Sequence, residues 1–488
     1  MKRFLTFSIV LFWLVMLGLL IRRTMPQSRL VSSLPPVGTI TAQEEWMGIY
    51  QQEQKVGYLR RQVTPTDTGY HWQEFWQMQL RVLKTSQTMH TEIRADTDQH
   101  YALTHFSFRL LTDGAVFQVT GDVADRELRG EITTGGEASP FAFPLHEPLY
   151  LPDTVQMALR TTTLPPGEER QFSIFNPLSL RPDTIGITAI GPETLSLQGK
   201  TQTVTKVAER FNGTTLHAWI DQEGKVVKEE ATMGLVLLRE SREEALGSGW
   251  QNNAPVDLVT WAAIPVSGTL RNPRTLTHLQ LKVLGPIAPT LFSFPPRQQR
   301  QDSKLTVASE DLSTLVTYPL PQTNPEFAAD LAPTPFLQST HPRLVAQARQ
   351  ILGEERDAVQ GARRLLDWTY TALDKVPTVG MPTALEALDS KRGDCNEHAV
   401  LFTALARAAG LPARVAAGVV YLDGAFYYHA WSEVWLGQWV AADPVFHQLP
   451  ADATHIKFVE GGPEEHLALL QIIGKIGMEI VDDQDQGK

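Results

Sequence analysis

The sequence predicts an α+β protein whose first half is antiparallel sheet and whose C-terminal part opens with helices and closes with strands. Three observations predict it. Apolar and polar residues alternate over much of residues 45–250, hairpin dipeptides punctuate that alternation, and the apolar spacing turns helical near residue 335. The chain has 488 residues, 42% of them hydrophobic and 20% charged, which is enough apolar material for several cores. Its formal charge of -11, with no basic block interleaved by aromatics, argues against a nucleic-acid partner.

Met1, Lys2 and Arg3 precede an uncharged run from Phe4 to Ile21 that Arg22 and Arg23 close. That length is close to the ~20 residues a helix needs to cross a hydrocarbon core. No small-residue cleavage site follows, so residues 1–23 read as an uncleaved transmembrane anchor rather than a cleaved signal peptide. Lys2 and Arg3 nearly balance Arg22, Arg23 and Arg29, so basic residues alone do not set the orientation. A short N-terminal tail is the easier side to retain. The expectation is therefore a single-pass membrane protein with the bulk of the chain exported, to a bacterial periplasm or the cell exterior. Residues 24–44, rich in Ser, Pro, Thr and Gln, read as a tether.

Residues 45–250 are expected to form an antiparallel β-rich domain. Trp72, Trp76, Met78, Leu80 and Val82 share one face of a strand, and Asp113-Gly114, Asn212-Gly213 and Glu223-Gly224 sit where tight hairpins need residues that tolerate positive φ. Asn212-Gly213-Thr214 is also formally a glycosylation sequon, but a type I′ turn explains it more simply. Residues 251–334 read as a β-rich extension followed by a connector carrying Pro319, Pro321, Pro325 and Pro333. Whether that extension completes the first sheet or starts another is open at this level.

A further domain is expected over residues 335–475. Val359, Leu365, Leu366, Tyr370 and Leu373 recur at helical spacing, Pro342 suits a first helical position, and Gly353 suits a stop. Residues 476–488 read as a solvated acidic tail.

The chain holds one cysteine, which excludes an intrachain disulfide and any multi-cysteine metal site. Asp394 and Glu397 form a D-x-x-E capping box, so a helix is expected to begin at or beside Cys395 and to end at Gly410 and Pro412. A thiol in that first turn meets unpaired N–H groups and the positive end of the helix dipole. Both favour thiolate, and the same N–H groups could hold an oxyanion.

After the helix the chain alternates again, with Asp423-Gly424 as a hairpin turn and a second turn at Gly437. His429 and Asp443 thus fall on neighbouring strands. A two-residue loop at Gly437-Gln438 would put them on opposite faces. A three-residue loop of Leu436 to Gln438, or a bulge, would make them a diagonal pair and set Trp435 opposite Trp439; this is the expected arrangement. His429 would then take the proton of Cys395 or hold an ion pair with it, and Asp443 would fix the imidazole.

The Gly393-Asp394-Cys395 start, the Arg407 to Arg414 exit, His429-Ala430-Trp431 and Asp443-Pro444 together resemble the transglutaminase-like superfamily, over residues from about 380 to 450. That papain-related fold is shared by transglutaminases, some peptidases and peptide N-glycanases. The resemblance implies Cys395 as nucleophile, His429 as base and Asp443 as orienter, with no cofactor and no metal. A zinc site built from Cys395, His398, His429 and His447 is the weaker alternative, because it leaves Asp443 unexplained. Trp431, Trp435 and Trp439 could line a groove or simply pack, and one of Tyr427 and Tyr428 should border the cleft. The function expected is a membrane-anchored cysteine enzyme acting on amide or isopeptide bonds of a protein or peptide through a thioester, by hydrolysis or acyl transfer. The competing expectation is a catalytically silent scaffold that binds through its β-rich half.

Overall fold

A computed structural model of the chain describes residues 29–30 and 41–485, apart from 83–84, 113–114, 135, 153, 156–165, 198, 212–213, 253–254, 286–291, 379, 463–464, 467–468 and 470–473. The predicted anchor, most of the tether, the Asp113-Gly114 and Asn212-Gly213 dipeptides, the sequon's first two residues and the last three residues lie outside this set. None of the described helices is long and apolar enough to cross a membrane.

Among the described residues, fifteen strands between Arg29 and Glu240 form one sheet. Apart from the two-residue strand Arg29–Leu30, which pairs parallel with Glu169–Asn176, its neighbouring strands pair antiparallel, several through two-residue turns: Thr112 faces Ala115, and Phe211 faces Thr214. At the middle of the sheet the Gln43–Gln51 strand pairs with Leu235–Glu240, bringing the two ends of this half together. The predicted face on Gly69–Val82 is inward, with Trp72, Met78, Leu80 and Val82 buried.

A second sheet takes up the strands of residues 251–334, whose sheet the sequence left open. Strands Ile264–Ser267, Leu276–Leu284, Gln298–Gln301 and Lys304–Ala308 do not extend the first sheet. They join Ala413–Leu422, Ala425–Trp435, Trp439–Ala442 and Ile456–Glu460 in a sheet of nine strands. The shift of period near residue 335 marks a change of element type, not of packing unit. The expected acidic tail is also corrected, since Gly477–Asp485 is a strand of this sheet, antiparallel to Leu276–Leu284 and parallel to Ile264–Ser267. Met478 and Ile480 alternate with acids and pack into the core that Leu279, Leu281 and Val307 build. Composition alone suggested solvation; the alternation decided otherwise.

Helices cover this sheet. Pro342–Leu352 opens on Pro342, as the first-turn preference predicts, and Gly353 follows its last residue with a positive φ of 55°. Ala358–Ala372, Ala384–Ser390 and Cys395–Ala408 complete the group, their apolar faces meeting in one core. The proline-rich connector ties the halves together. Phe336 is buried in the first core, where it stacks on Phe117 at 6.2 Å between centroids, while its neighbour Leu337 belongs to the second.

Candidate active site

The helix of the cysteine starts at Cys395 itself. Asp394 caps it: its Oδ1 accepts the Asn396 N–H at 2.9 Å, the Glu397 N–H also points to its side chain, and Glu397 Oε2 accepts the Asp394 N–H at 2.8 Å. The capping box is therefore present, with one consequence the sequence reading missed. It occupies the Asn396 and Glu397 N–H groups, so the first turn offers an oxyanion the Cys395 N–H rather than a cluster of donors.

The surroundings of the thiol work against the thiolate form that the helix start favours. Although the residue is only half-buried, the thiol is enclosed. Burial pushes the Cys395 thiol well above its usual range, and the Asp394, Glu397 and Asp443 carboxylates add to the rise; only the backbone of Ala430, hydrogen-bonded to the sulfur, opposes them. The Glu397 carboxyl is itself pushed well above its usual range by burial and by Asp394, so Asp394 and Asp443 carry most of the like charge near the thiol.

His429 and Asp443 occupy neighbouring strands whose register matches the three-residue loop. Trp435 pairs with Trp439, Val434 with Val440 and Ser432 with Ala442, and Gly437 in the loop takes a φ of 97°. One step past the last pair, Asp443 stands diagonal to His429 on the same face. Its Oδ2 accepts His429 Nε2 at 2.7 Å. With Nε2 so engaged, Nδ1 is the nitrogen left for a thiol. Cys395 is placed beside this pair through Ala430, the residue following His429. Among the described residues no hydrogen bond joins Cys395 directly to His429.

Asp443 is the best-satisfied group of the site. Its Oδ1 accepts the Val445 and Phe446 N–H groups at 2.6 and 2.9 Å, and its Oδ2 accepts His455 Nε2 at 2.9 Å as well as His429. Burial works against its charge, yet the two histidines hold the carboxyl far below the ordinary carboxylate range. Sequence reading missed His455. It lies at the end of an irregular turn after Asp443, and no spacing rule signals where such a turn leads.

The proposed zinc set does not assemble. His398 turns its Nδ1 to the Asp394 carbonyl at 2.7 Å, and His447 pairs with Asp367 at 2.6 Å. Ligand atoms of His429, Asp443 and His455 do lie within 4.8 Å of one another. Both imidazoles also stand at hydrogen-bond distance from one carboxylate oxygen, 2.7 and 2.9 Å from Asp443 Oδ2. Trp431 packs against His429 at 6.2 Å between ring centroids and is fully buried, so it shields the pair instead of lining a groove. Tyr428 is the tyrosine at the cleft: its hydroxyl donates to Asn396 Oδ1 at 2.7 Å.

A cavity of about 430 Å³ opens between the two halves beside the cysteine helix. Its walls include Gln87, Val116 and Phe117 from the first sheet, and Thr378, Glu386 and Glu397 from the helical part. Gln87 donates to the Pro377 carbonyl at 3.2 Å and holds the halves together at its rim. Burial pushes the Glu386 carboxyl up to about 7.

Residues 345–444 match the Transglutaminase-like superfamily, which places the capped cysteine, the histidine strand and Asp443 inside one recognised unit. The C-terminal part is a transglutaminase-like domain. Three solved structures show limited likeness to the chain. A candidate cysteine protease from Cytophaga hutchinsonii is 16% identical over 43% of this chain and 85% of its own, with a TM-score of 0.28. A β-barrel-like protein of a domain of unknown function from Brucella abortus is 8% identical over 41% of this chain and 95% of its own, at 0.33. A candidate protease from Parabacteroides distasonis is 11% identical over 75% of this chain and 65% of its own, at 0.21. TM-scores this low carry no argument about function. No curated protein matches the chain.

Proposed function

We propose that the C-terminal domain is a cysteine enzyme that cleaves or transfers the acyl group of an amide or isopeptide bond in a protein or peptide. The observation that carries the reading is the His429–Asp443 bond of 2.7 Å on the strand against which the Cys395 thiol lies. Cys395 Sγ attacks the carbonyl carbon while its proton passes to His429 Nδ1, and Asp443 supports the imidazolium so formed. The Cys395 N–H faces the developing oxyanion. Collapse of the tetrahedral intermediate breaks the C–N bond, and the proton on Nδ1 leaves with the amine. Water, or a second amine, then attacks the thioester and gives its proton to Nδ1; collapse of this second intermediate breaks the C–S bond, and Nδ1 returns the proton to the departing sulfur. Hydrolysis is the simpler outcome, since acyl transfer adds a demand to exclude water that no feature of the site shows being met.

In this reading the cavity between the halves receives part of the substrate, so the first sheet contributes to recognition. The N-terminal apolar run would tether the enzyme to a membrane, with the catalytic part exported.

A second reading has one observation in its favour. A buried thiol beside the Asp394, Glu397 and Asp443 carboxyl groups, with no direct hydrogen bond to His429 among the described residues, also suits a silent scaffold that binds through its β-rich half. Alkylation of Cys395 by iodoacetamide near neutral pH, followed by mass spectrometry, separates the two. Labelling faster than a free thiol and lost in His429→Ala supports the enzyme; labelling no faster than a free thiol supports the scaffold.

A further inference from the structure

Behind Asp443 the structure continues the line of alternating charges. His455 Nδ1 approaches Asp452 Oδ1 at 3.3 Å and the Asp452 carbonyl at 3.2 Å, while its Nε2 donates to Asp443. Asp452 Oδ2 in turn forms an ion pair with Arg274 at 3.1 Å. Arg274 belongs to the turn before strand Leu276–Leu284, far from the catalytic residues in sequence, and is held by the Tyr421 carbonyl and Thr454 Oγ1. The order is thus Arg274, Asp452, His455, Asp443, His429. His455 has no solvent exposure. Around it stand Trp431 and His429 from the histidine strand, at 5.3 and 5.6 Å between ring centroids, and Phe446 at 6.1 Å. The charged or titratable groups that reach it are therefore Asp443, Asp452 and His429, with Arg274 one group further out.

We propose that His455 is a positioning residue of the catalytic site, which locks the Asp443 carboxylate in the orientation that meets His429. The inference rests on the catalytic reading above. Two features support it. A carboxylate with one imidazole partner can rotate about its C–C bond; one held by two imidazoles and two backbone N–H groups cannot. Burial works against a charge on His455, but the Asp452 charge and the hydrogen bonds to both aspartates hold its proton above the ordinary histidine value.

The test uses the full chain and the rate at which Cys395 is labelled by iodoacetamide near neutral pH, read by mass spectrometry. His455→Gln keeps an N–H donor for Asp443, while His455→Leu removes it at similar size. The His429-dependent part of the labelling rate should fall about tenfold in His455→Leu and be largely kept in His455→Gln. A folded His455→Leu variant that labels at the wild-type rate, still dependent on His429, overturns the role of His455 alone. Labelling indifferent to His429→Ala overturns the catalytic reading itself. If His455→Leu does not fold, Asp452→Ala, which frees the Nδ1 side of the same ring, takes its place with the same expectation.

Discussion

His429 and Asp443 are a diagonal pair across two antiparallel strands, and their side chains meet at 2.7 Å because the loop between the strands has three residues and not two. Deleting Gln438 would shorten that loop, and the period of the strand would carry Asp443 to the opposite face. The deletion variant is expected to fold and to lose His429-dependent labelling of Cys395. Retained labelling at the wild-type rate would contradict the link between register and reactivity.

Asp443→Asn keeps the size of the side chain and removes its charge. His429 would lose support for its imidazolium, and general-base help of this kind is worth roughly 10²–10⁴ in rate. The expected result is a loss in that range in Cys395 acylation by an activated ester, measured as thioester formed per unit time. Asp443→Ala should in addition destabilise the domain by about 3–5 kcal/mol, since it strands two buried imidazoles; urea denaturation reads that difference.

The Asp443, His455 and Asp452 cluster also predicts how stability depends on pH. The folded aspartates sit below their usual range, so their contribution is complete above about pH 4 and fades as pH falls from there. The folded His455 sits above its usual value, so its contribution is complete below about pH 6.5 and is lost as pH rises through the folded value. The cluster therefore stabilises most between about pH 4 and 6.5. Urea midpoints of the wild type should exceed those of His455→Gln by more near pH 6 than near pH 9. A difference that stays constant across that range would count against the cluster.

Phe336→Ala removes a fully buried ring from the first core, a change that typically costs about 3–5 kcal/mol. Because the ring comes from the connector, the loss should loosen the seam between the halves as well as the core. Limited proteolysis is expected to cut between residues 309 and 341 faster in the variant. Equal cutting rates would show that the seam is held elsewhere, for example by Gln87 on Pro377.

The three residues expected at the site were legible because each sits beside a local rule: a capping box for Cys395, a hairpin for the His429 strand, and the parity of a loop for Asp443. What lay outside those rules was illegible. His455, Asp452 and Arg274 reach the site through an irregular turn and through a strand contributed from before the connector, and neither is encoded in periodicity. The surroundings of the thiol were out of reach for a similar reason. The helix start was visible in sequence, but the crowd of carboxyl groups and the enclosure around the sulfur exist only in three dimensions. In the fold, the sheet of residues 251–334 stayed open and the last strand was read as a tail, because pairing between distant strands leaves no mark on either strand alone.

Strand Gly477–Asp485 lies between Leu276–Leu284 and Ile264–Ser267, its two partners in the sheet. During synthesis those earlier strands emerge long before the one that separates them. Each must wait with an unpaired edge, and a sheet edge left open invites pairing with other chains. Assembly of this domain is thus gated by its latest strand, and truncation before Gly477 would leave a sticky, unfinished sheet even with every catalytic residue already made.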